Sequence, residues 1–293
     1  MPNTYRPRPI DLLSVTFLGG LFCLTAVFNG SVPGSATLLI RYIAVIALIT
    51  LSSLARHKLP GNRPIVYANT FLPLFVVMFT FDSLSSLTQY INTKDMDPAL
   101  ADIDLSLFGV HPGIMMQAMV DPVLTTALQL CYLSYYFLPV ALCLILFFSG
   151  ETDNFDRAVF GIVLGFFASY IGYLLVPALG PRHYIGHLFT ADLMRGPVAS
   201  SINDTLNMLE GENRDAFPSG HTEVVLIVLY YAWAYRKWFF WVSLPLVSGL
   251  IFSTVYLRYH YVVDVVAGAA LAPLSVWAAS AIYGWYDRRA GTR

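Results

Sequence analysis

Phe217-Pro218-Ser219-Gly220-His221-Thr222 opens an apolar run that continues to about residue 235, and Arg258-Tyr259-His260-Tyr261-Val262-Val263-Asp264 opens another that continues to about 284. Between them lies a third run, 238–256, reached through Arg236 and Lys237. A bilayer-spanning helix needs roughly 20 mostly apolar residues. Two such helices joined by a short basic turn form a hairpin, so both histidine-bearing clusters emerge at one membrane face. Gly180-Pro181-Arg182-His183-Tyr184 closes the preceding apolar run, 158–178, at that same face.

Working outward, further runs fall at about 11–29, 35–54, 65–82 and 122–149, giving eight candidate spans. Only 12% of the 293 residues are charged, against about 25% in soluble domains, which leaves too little polar surface for a water-soluble globule. The fold class is therefore all-α: a polytopic membrane helical bundle of about eight transmembrane helices. A single integral-membrane domain spans 1–293, with N-terminal spans and an interfacial helix in 1–150 and catalytic core spans in 158–285. A net charge of −1 and the lack of any basic block argue against a nucleic-acid partner.

Lysine and arginine favour the cytoplasmic side of membrane proteins. With the N-terminus inside, the inner segments hold Arg6, Arg8, Arg56, Lys58, Arg63, Arg157, Arg236, Lys237, Arg288, Arg289 and Arg293, and the outer ones Lys94, Arg182, Arg195, Arg214 and Arg258. Both termini are expected in the cytoplasm and the polar clusters on the extracytoplasmic side, periplasmic or lumenal. Arg6 and Arg8 before an apolar run resemble a signal peptide, but no small-residue cleavage site follows, and the run is taken as the first membrane helix.

Residues 83–121 and 183–217 are long segments outside the spans, the natural walls of a binding site. The first holds Asp97, Asp102 and Asp104 among apolar residues, and Leu105-Ser106-Leu107-Phe108-Gly109-Val110-His111-Pro112 reads as a helix end with a glycine stop and a proline break. An amphipathic helix along the membrane interface fits. The second carries one short helix-like run near Leu206–Leu209. Cys23, Cys131 and Cys143 sit apart inside apolar runs and read as buried, inert thiols.

The clusters carry the chemistry. His260 and Asp264 are four apart, which on a helix puts them on one face. An acid that accepts from one ring nitrogen leaves the other as nucleophile or base. In Pro218-Ser219-Gly220-His221 the proline suits a first helical turn, Gly220 admits a ligand close to the backbone, and the helix N-terminus attracts phosphate. Ser219 adds a hydroxyl, and His221 is placed to give and take a proton. Arg182 and Arg258 are candidate phosphate clamps, because a guanidinium forks onto two oxygens and keeps its charge. Arg214, His183 and Tyr184 stand near enough to contribute, as does Asp215; Arg195 carries a weaker signal. Read alone, each of these residues also has a plain structural role, as interfacial anchor or helix start. His111 and His187 read as ordinary loop residues.

Phe217-Pro218-Ser219-Gly220-His221-Thr222 together with His260-x3-Asp264 resemble the second and third signatures of the type 2 phosphatidic acid phosphatase superfamily. The resemblance covers about residues 160–285, with weaker echoes at Asp104–Pro112. It implies that His260 attacks phosphorus, that Asp264 orients His260, that His221 acts as general acid and then base, and that Ser219, Gly220 and the arginines hold the phosphate. It further implies a phosphohistidine intermediate and no metal or other cofactor. Two departures stand out. The first signature places a lysine seven residues before its arginine, where this chain has Leu175, and the third places Ser-Arg where this chain has Ser253-Thr254. The altered motif Tyr256-Leu257-Arg258-Tyr259-His260-Tyr261 is more similar to the inositol phosphorylceramide synthase-like branch.

The expected activity is that of a lipid phosphate phosphatase at the outer membrane face, acting on a lipid phosphate within the bilayer. The alternative is a lipid phosphotransferase that passes the headgroup to an alcohol acceptor. A non-catalytic transporter of anionic lipids needs neither the second histidine nor the oriented acid, and the spans lack the paired broken halves of inverted repeats. The lipid and the oligomeric state are not legible.

Overall fold

The structure is a computed structural model that describes residues 5–193, 197–211 and 213–290. It is helical throughout, with no β-strand among the described residues. The principal helices are α1 (Pro9–Val27), α2 (Ser35–Lys58), α3 (Arg63–Ser85), α4 (Asp97–Phe108), α5 (Pro122–Leu133), α6 (Leu138–Phe148), α7 (Thr152–Leu175), α8 (Pro197–Glu210), α9 (Gly220–Tyr235), α10 (Lys237–Tyr256) and α11 (Val262–Ala290). Among the described residues, α1, α2, α3, α7, α10 and α11 are long and apolar enough to cross a membrane. The protein is an integral membrane helical bundle.

The eight sequence runs all become helices, but two depart from a simple span. The run at 122–149 is broken into α5 and α6, bent by 48° at Ser134–Phe137, and supplies a seventh span only if the pair counts as one. Helix α9 has 16 residues, about 24 Å at 1.5 Å per residue, short of the roughly 30 Å hydrocarbon core. It is instead the central helix, packed on α6, α7, α10 and α11. Val224, Val225, Ile227, Val228, Tyr231 and Ala232 are all buried. A helix packed on four neighbours along most of its length, with only Tyr230, Trp233 and Ala234 exposed near its end, has little need to match the bilayer. Buried Glu223 braces it, accepting from Ser275 at 2.7 Å and from Ser169.

Glycine-109 ends α4 as its spacing predicts: its φ of +72° is a left-handed turn that suits glycine, and its N–H donates to Leu105 at 2.8 Å. Helix α4 turns two of its acids toward the bundle. Asp97 and Asp104 face inward with Leu100 and Ala101, while Ile103, Leu107 and Phe108 are exposed. The acids turn in because backbone N–H groups await them there. The helix-like run in the second loop is longer than expected, α8 covering Pro197–Glu210. Among the cysteines Cys143 is buried as expected, Cys131 is partly so, and Cys23 faces outward.

Candidate active site

Helix α10 ends at Tyr256 with Leu257 as its C-cap, and the chain then turns through Arg258, a non-glycine residue at φ +69°. That left-handed step, which costs roughly 1 kcal/mol or more for a residue with a Cβ, lets the N–H groups of Tyr259 and His260 both donate to Thr254 at 3.0 Å. It delivers His260 to the bundle interior, 4% exposed. His260 precedes α11, so His260 and Asp264 do not share a helical face; Asp264 sits in the first turn of α11 and reaches back to accept from the Tyr261 N–H at 2.8 Å. It still approaches His260 Nδ1, at 3.5 Å, but the nearer acceptor for that nitrogen is the Ala216 carbonyl, at 2.8 Å.

His260 Nε2 lies 3.3 Å from His221 Nδ1. With Nδ1 of His260 donating to Ala216, its Nε2 carries the lone pair, and His221 Nδ1 is then the donor across the pair. This tautomer is assigned from the network. His221 opens α9, with Ser219 as N-cap accepting from the Thr222 N–H at 3.3 Å. The Phe217–Pro218 peptide just before it is cis. The His221 ring is packed between Tyr132 and Tyr135, whose ring centres are 4.6 and 4.2 Å away. Gly220 is close to protein: a Cβ there would meet the Tyr173 hydroxyl at 2.2 Å, so its smallness lets α9 approach α7.

Arg182 and His183 come to the same place. The Arg182 N–H donates to the Arg258 carbonyl at 3.0 Å, joining the first and third clusters, and its guanidinium lies 5.1 Å from the Tyr259 ring centre. Gly180, at φ +89°, makes the join close; a Cβ there would meet the Tyr259 carbonyl at 2.3 Å. Arg258 points elsewhere: its guanidinium donates to the Ala191 carbonyl at 2.6 Å and covers the Phe189 ring at 4.2 Å. Burial lowers its pKa. Tyr184 is half-exposed, Arg214 borders a small side hollow with Asn213 and Asp215, and Arg195 lies outside the described residues.

These groups open on a cavity of about 340 Å³. Its polar end is formed by His260, His221, Arg182, His183, Asn213 and Asp215. The rest of its lining is largely apolar, from α3 (Leu74, Val77, Met78), α6 (Pro139, Val140) and α7 (Ile162, Val163, Phe166), interleaved with tyrosines that include Tyr132, Tyr135, Tyr170 and Tyr173. Of these, Met78 and Val140 are 73% and 37% exposed. Arg258, Ser219 and Gly220 do not line it.

Two site-building residues escaped the sequence reading. Asp104 accepts from the Val262 and Val263 N–H groups at 2.8 and 3.0 Å, capping α11 from another helix. Asp97, fully buried, accepts from the Leu179 and Gly180 N–H groups at 2.6 and 2.8 Å and from the Tyr261 hydroxyl at 2.9 Å. Burial raises both carboxyls, Asp97 to about 6. The sequence signals were their seven-residue spacing, which places both on one side of α4, and the faint family echo at Asp104–Pro112. Tyr132 and Tyr135 were equally silent within a run that reads as span.

The bundle interior thus brings His260, His221 and Arg182 to one cavity, with Asp264 behind the His260 ring. A family model described as PAP2 superfamily matches residues 98–278, and the chain belongs to that superfamily. The match begins well before the histidine motifs and takes in most of α4 and all of α5, the helices that supply Asp104 and Tyr132. No curated protein and no solved structure matches the chain. Membership supports a phosphatase or phosphotransferase type of activity on lipid phosphates.

Proposed function

We propose that this protein cleaves a lipid phosphate ester through a phosphohistidine on His260. The observation that carries the reading is the 3.3 Å approach of His260 Nε2 to His221 Nδ1 on a cavity whose remaining lining is largely apolar and aromatic. The lone pair of His260 Nε2 attacks phosphorus and the P–O bond to the lipid breaks. His221 gives its proton to the leaving oxygen, so the lipid departs as an alcohol. Water then attacks phosphorus, His221 takes its proton, and the P–N bond breaks to release phosphate. A phosphorus bonded to Nε2 takes the place that His221 Nδ1 holds, so the two rings part as substrate enters. Arg182, facing the cavity, offsets the phosphate charge. The apolar walls from α3, α6 and α7 suit the lipid tail. The lysine and arginine distribution favours cytoplasmic termini and a site on the extracytoplasmic side.

A second reading, phosphotransfer to an alcohol as in the inositol phosphorylceramide synthase-like branch, is favoured by one feature. Asp215 and Asn213 share the polar end, and a carboxylate there suits a hydroxyl donor better than a phosphate. Purified protein incubated with lipid phosphates, with and without alcohol acceptors, separates the two. Free phosphate supports hydrolysis, and transferred headgroup with little free phosphate supports the second reading. His260→Ala abolishes both; unchanged turnover in that variant refutes both.

A further inference from the structure

His260 Nδ1 is held chiefly by a main-chain carbonyl, so whatever fixes that carbonyl fixes the ring. The Ala216 carbonyl accepts from His260 Nδ1 at 2.8 Å, while the Ala216 N–H donates to the Ala178 carbonyl at 3.0 Å. The next two N–H groups along that strand of chain, Leu179 and Gly180, end on Asp97 at 2.6 and 2.8 Å. Asp97 also accepts from the hydroxyl of Tyr261, the residue after His260, at 2.9 Å. The bonds close a ring: Asp97, the 178–180 backbone, Ala216, His260, Tyr261, and back to Asp97. Leu100, Ala101, Ala178, Ala216 and Tyr261 pack around it as one buried apolar cluster. Water is thereby kept from the ring's bonds, which strengthens them and makes a missing partner costly.

We propose that Asp97 is a positioning residue for the reaction: through Tyr261 and the 178–180 backbone it holds the Ala216 carbonyl that sets the orientation and tautomer of His260. This rests on the reading of His260 as nucleophile. Asp97 touches no reacting atom. It anchors the loop that carries Arg182 and the loop that carries His260 to one carboxylate, so the phosphate clamp and the nucleophile keep a fixed relation. Catalysis depends on such relations steeply, a displacement of about 1 Å costing on the order of 100-fold.

The test uses full-length protein in detergent and a short-chain diacylglycerol phosphate in micelles as probe. Tyr261→Phe removes one hydroxyl and leaves the packed ring. Assayed well below the thermal midpoint, which the lost buried hydrogen bond lowers modestly, it is expected to lower kcat about 10-fold with KM unchanged, and Asp97→Asn about 100-fold. The double variant is expected to be no worse than Asp97→Asn, because both act along one path. Wild-type kcat in Tyr261→Phe overturns the proposal, as does a loss confined to KM or one that follows the thermal midpoint. If Asp97→Asn fails to fold, Tyr261→Phe decides alone. His260→Ala in the same assay keeps the two claims apart. An active His260→Ala removes the nucleophile, whereas an inert one beside fully active Tyr261→Phe removes only the positioning role.

Discussion

The two ends of the bundle hold their acids in different ways. At the end where α7, α9 and α11 meet their basic residues, carboxylates are met by guanidinium groups: Asp11 by Arg8 at 2.8 Å, Asp287 by Arg157 at 2.7 Å, and Glu151 by Arg236 at 2.5 Å. At the site end, Asp97, Asp104 and Asp264 accept instead from main-chain N–H groups. An ion pair joins two side chains and tolerates some sliding. A carboxylate gripping backbone fixes a loop's path. The first kind of contact ties helix ends together; the second shapes the turns that bring His260, His221 and Arg182 into one cavity.

The comparison is most severely tested by activity. His260→Ala is expected to lower phosphate release from a lipid phosphate by about 1,000-fold or more, since removing a nucleophile removes the step it begins, and His221→Ala by about 100-fold. Arg157→Ala, at the opposite end, is expected to leave turnover unchanged. An Arg157→Ala defect as deep as that of His221→Ala would erase the distinction.

Stability gives the next largest effect. Asp104→Ala leaves two α11 N–H groups without their cap, for an expected loss of about 2 kcal/mol, read as a lower unfolding midpoint in detergent. A midpoint equal to wild type would mean that the cap carries no weight.

The sign of a pH effect sharpens the picture. Burial, with the neighbouring Asp95 hydrogen bond, raises Asp97 from 3.8 to about 6. Between those values the folded protein keeps a proton that the unfolded chain has lost. Its contribution to stability is therefore full below about 4, declines as pH rises to about 6, and is level above. The difference in midpoint between wild type and Asp97→Asn should follow that slope; a difference that grows with rising pH would contradict it. The smallest effect belongs to Arg236→Ala, which breaks a partly exposed pair with Glu151 and is expected to lower the unfolding midpoint least of all these changes.

Much of this was legible in the chain. Apolar length gave the helices, because a bilayer leaves the backbone few other ways to satisfy its hydrogen bonds, and the ends of those runs marked His221 and His260. The short α9 was misleading as a span because burial by protein and burial by lipid write the same apolar sequence. Asp97 and Asp104 were left without a role for the opposite reason. An acid in an apolar helix looks like a wet face, and nothing local says that its partners are N–H groups of Gly180 or Val262, some 80 and 160 residues away. Arg258 resembled a clamp by position, but its left-handed backbone turns the guanidinium toward Ala191.

The central claim is that His260 bonds to phosphorus. Rapid quenching of the protein with a radiolabelled lipid phosphate, in base to preserve phosphohistidine, followed by peptide mapping tests it directly. Label on the peptide containing His260, lost in His260→Ala and prolonged in His221→Ala, is the predicted result. Full turnover with no label on that peptide, or with label on another residue, would contradict it.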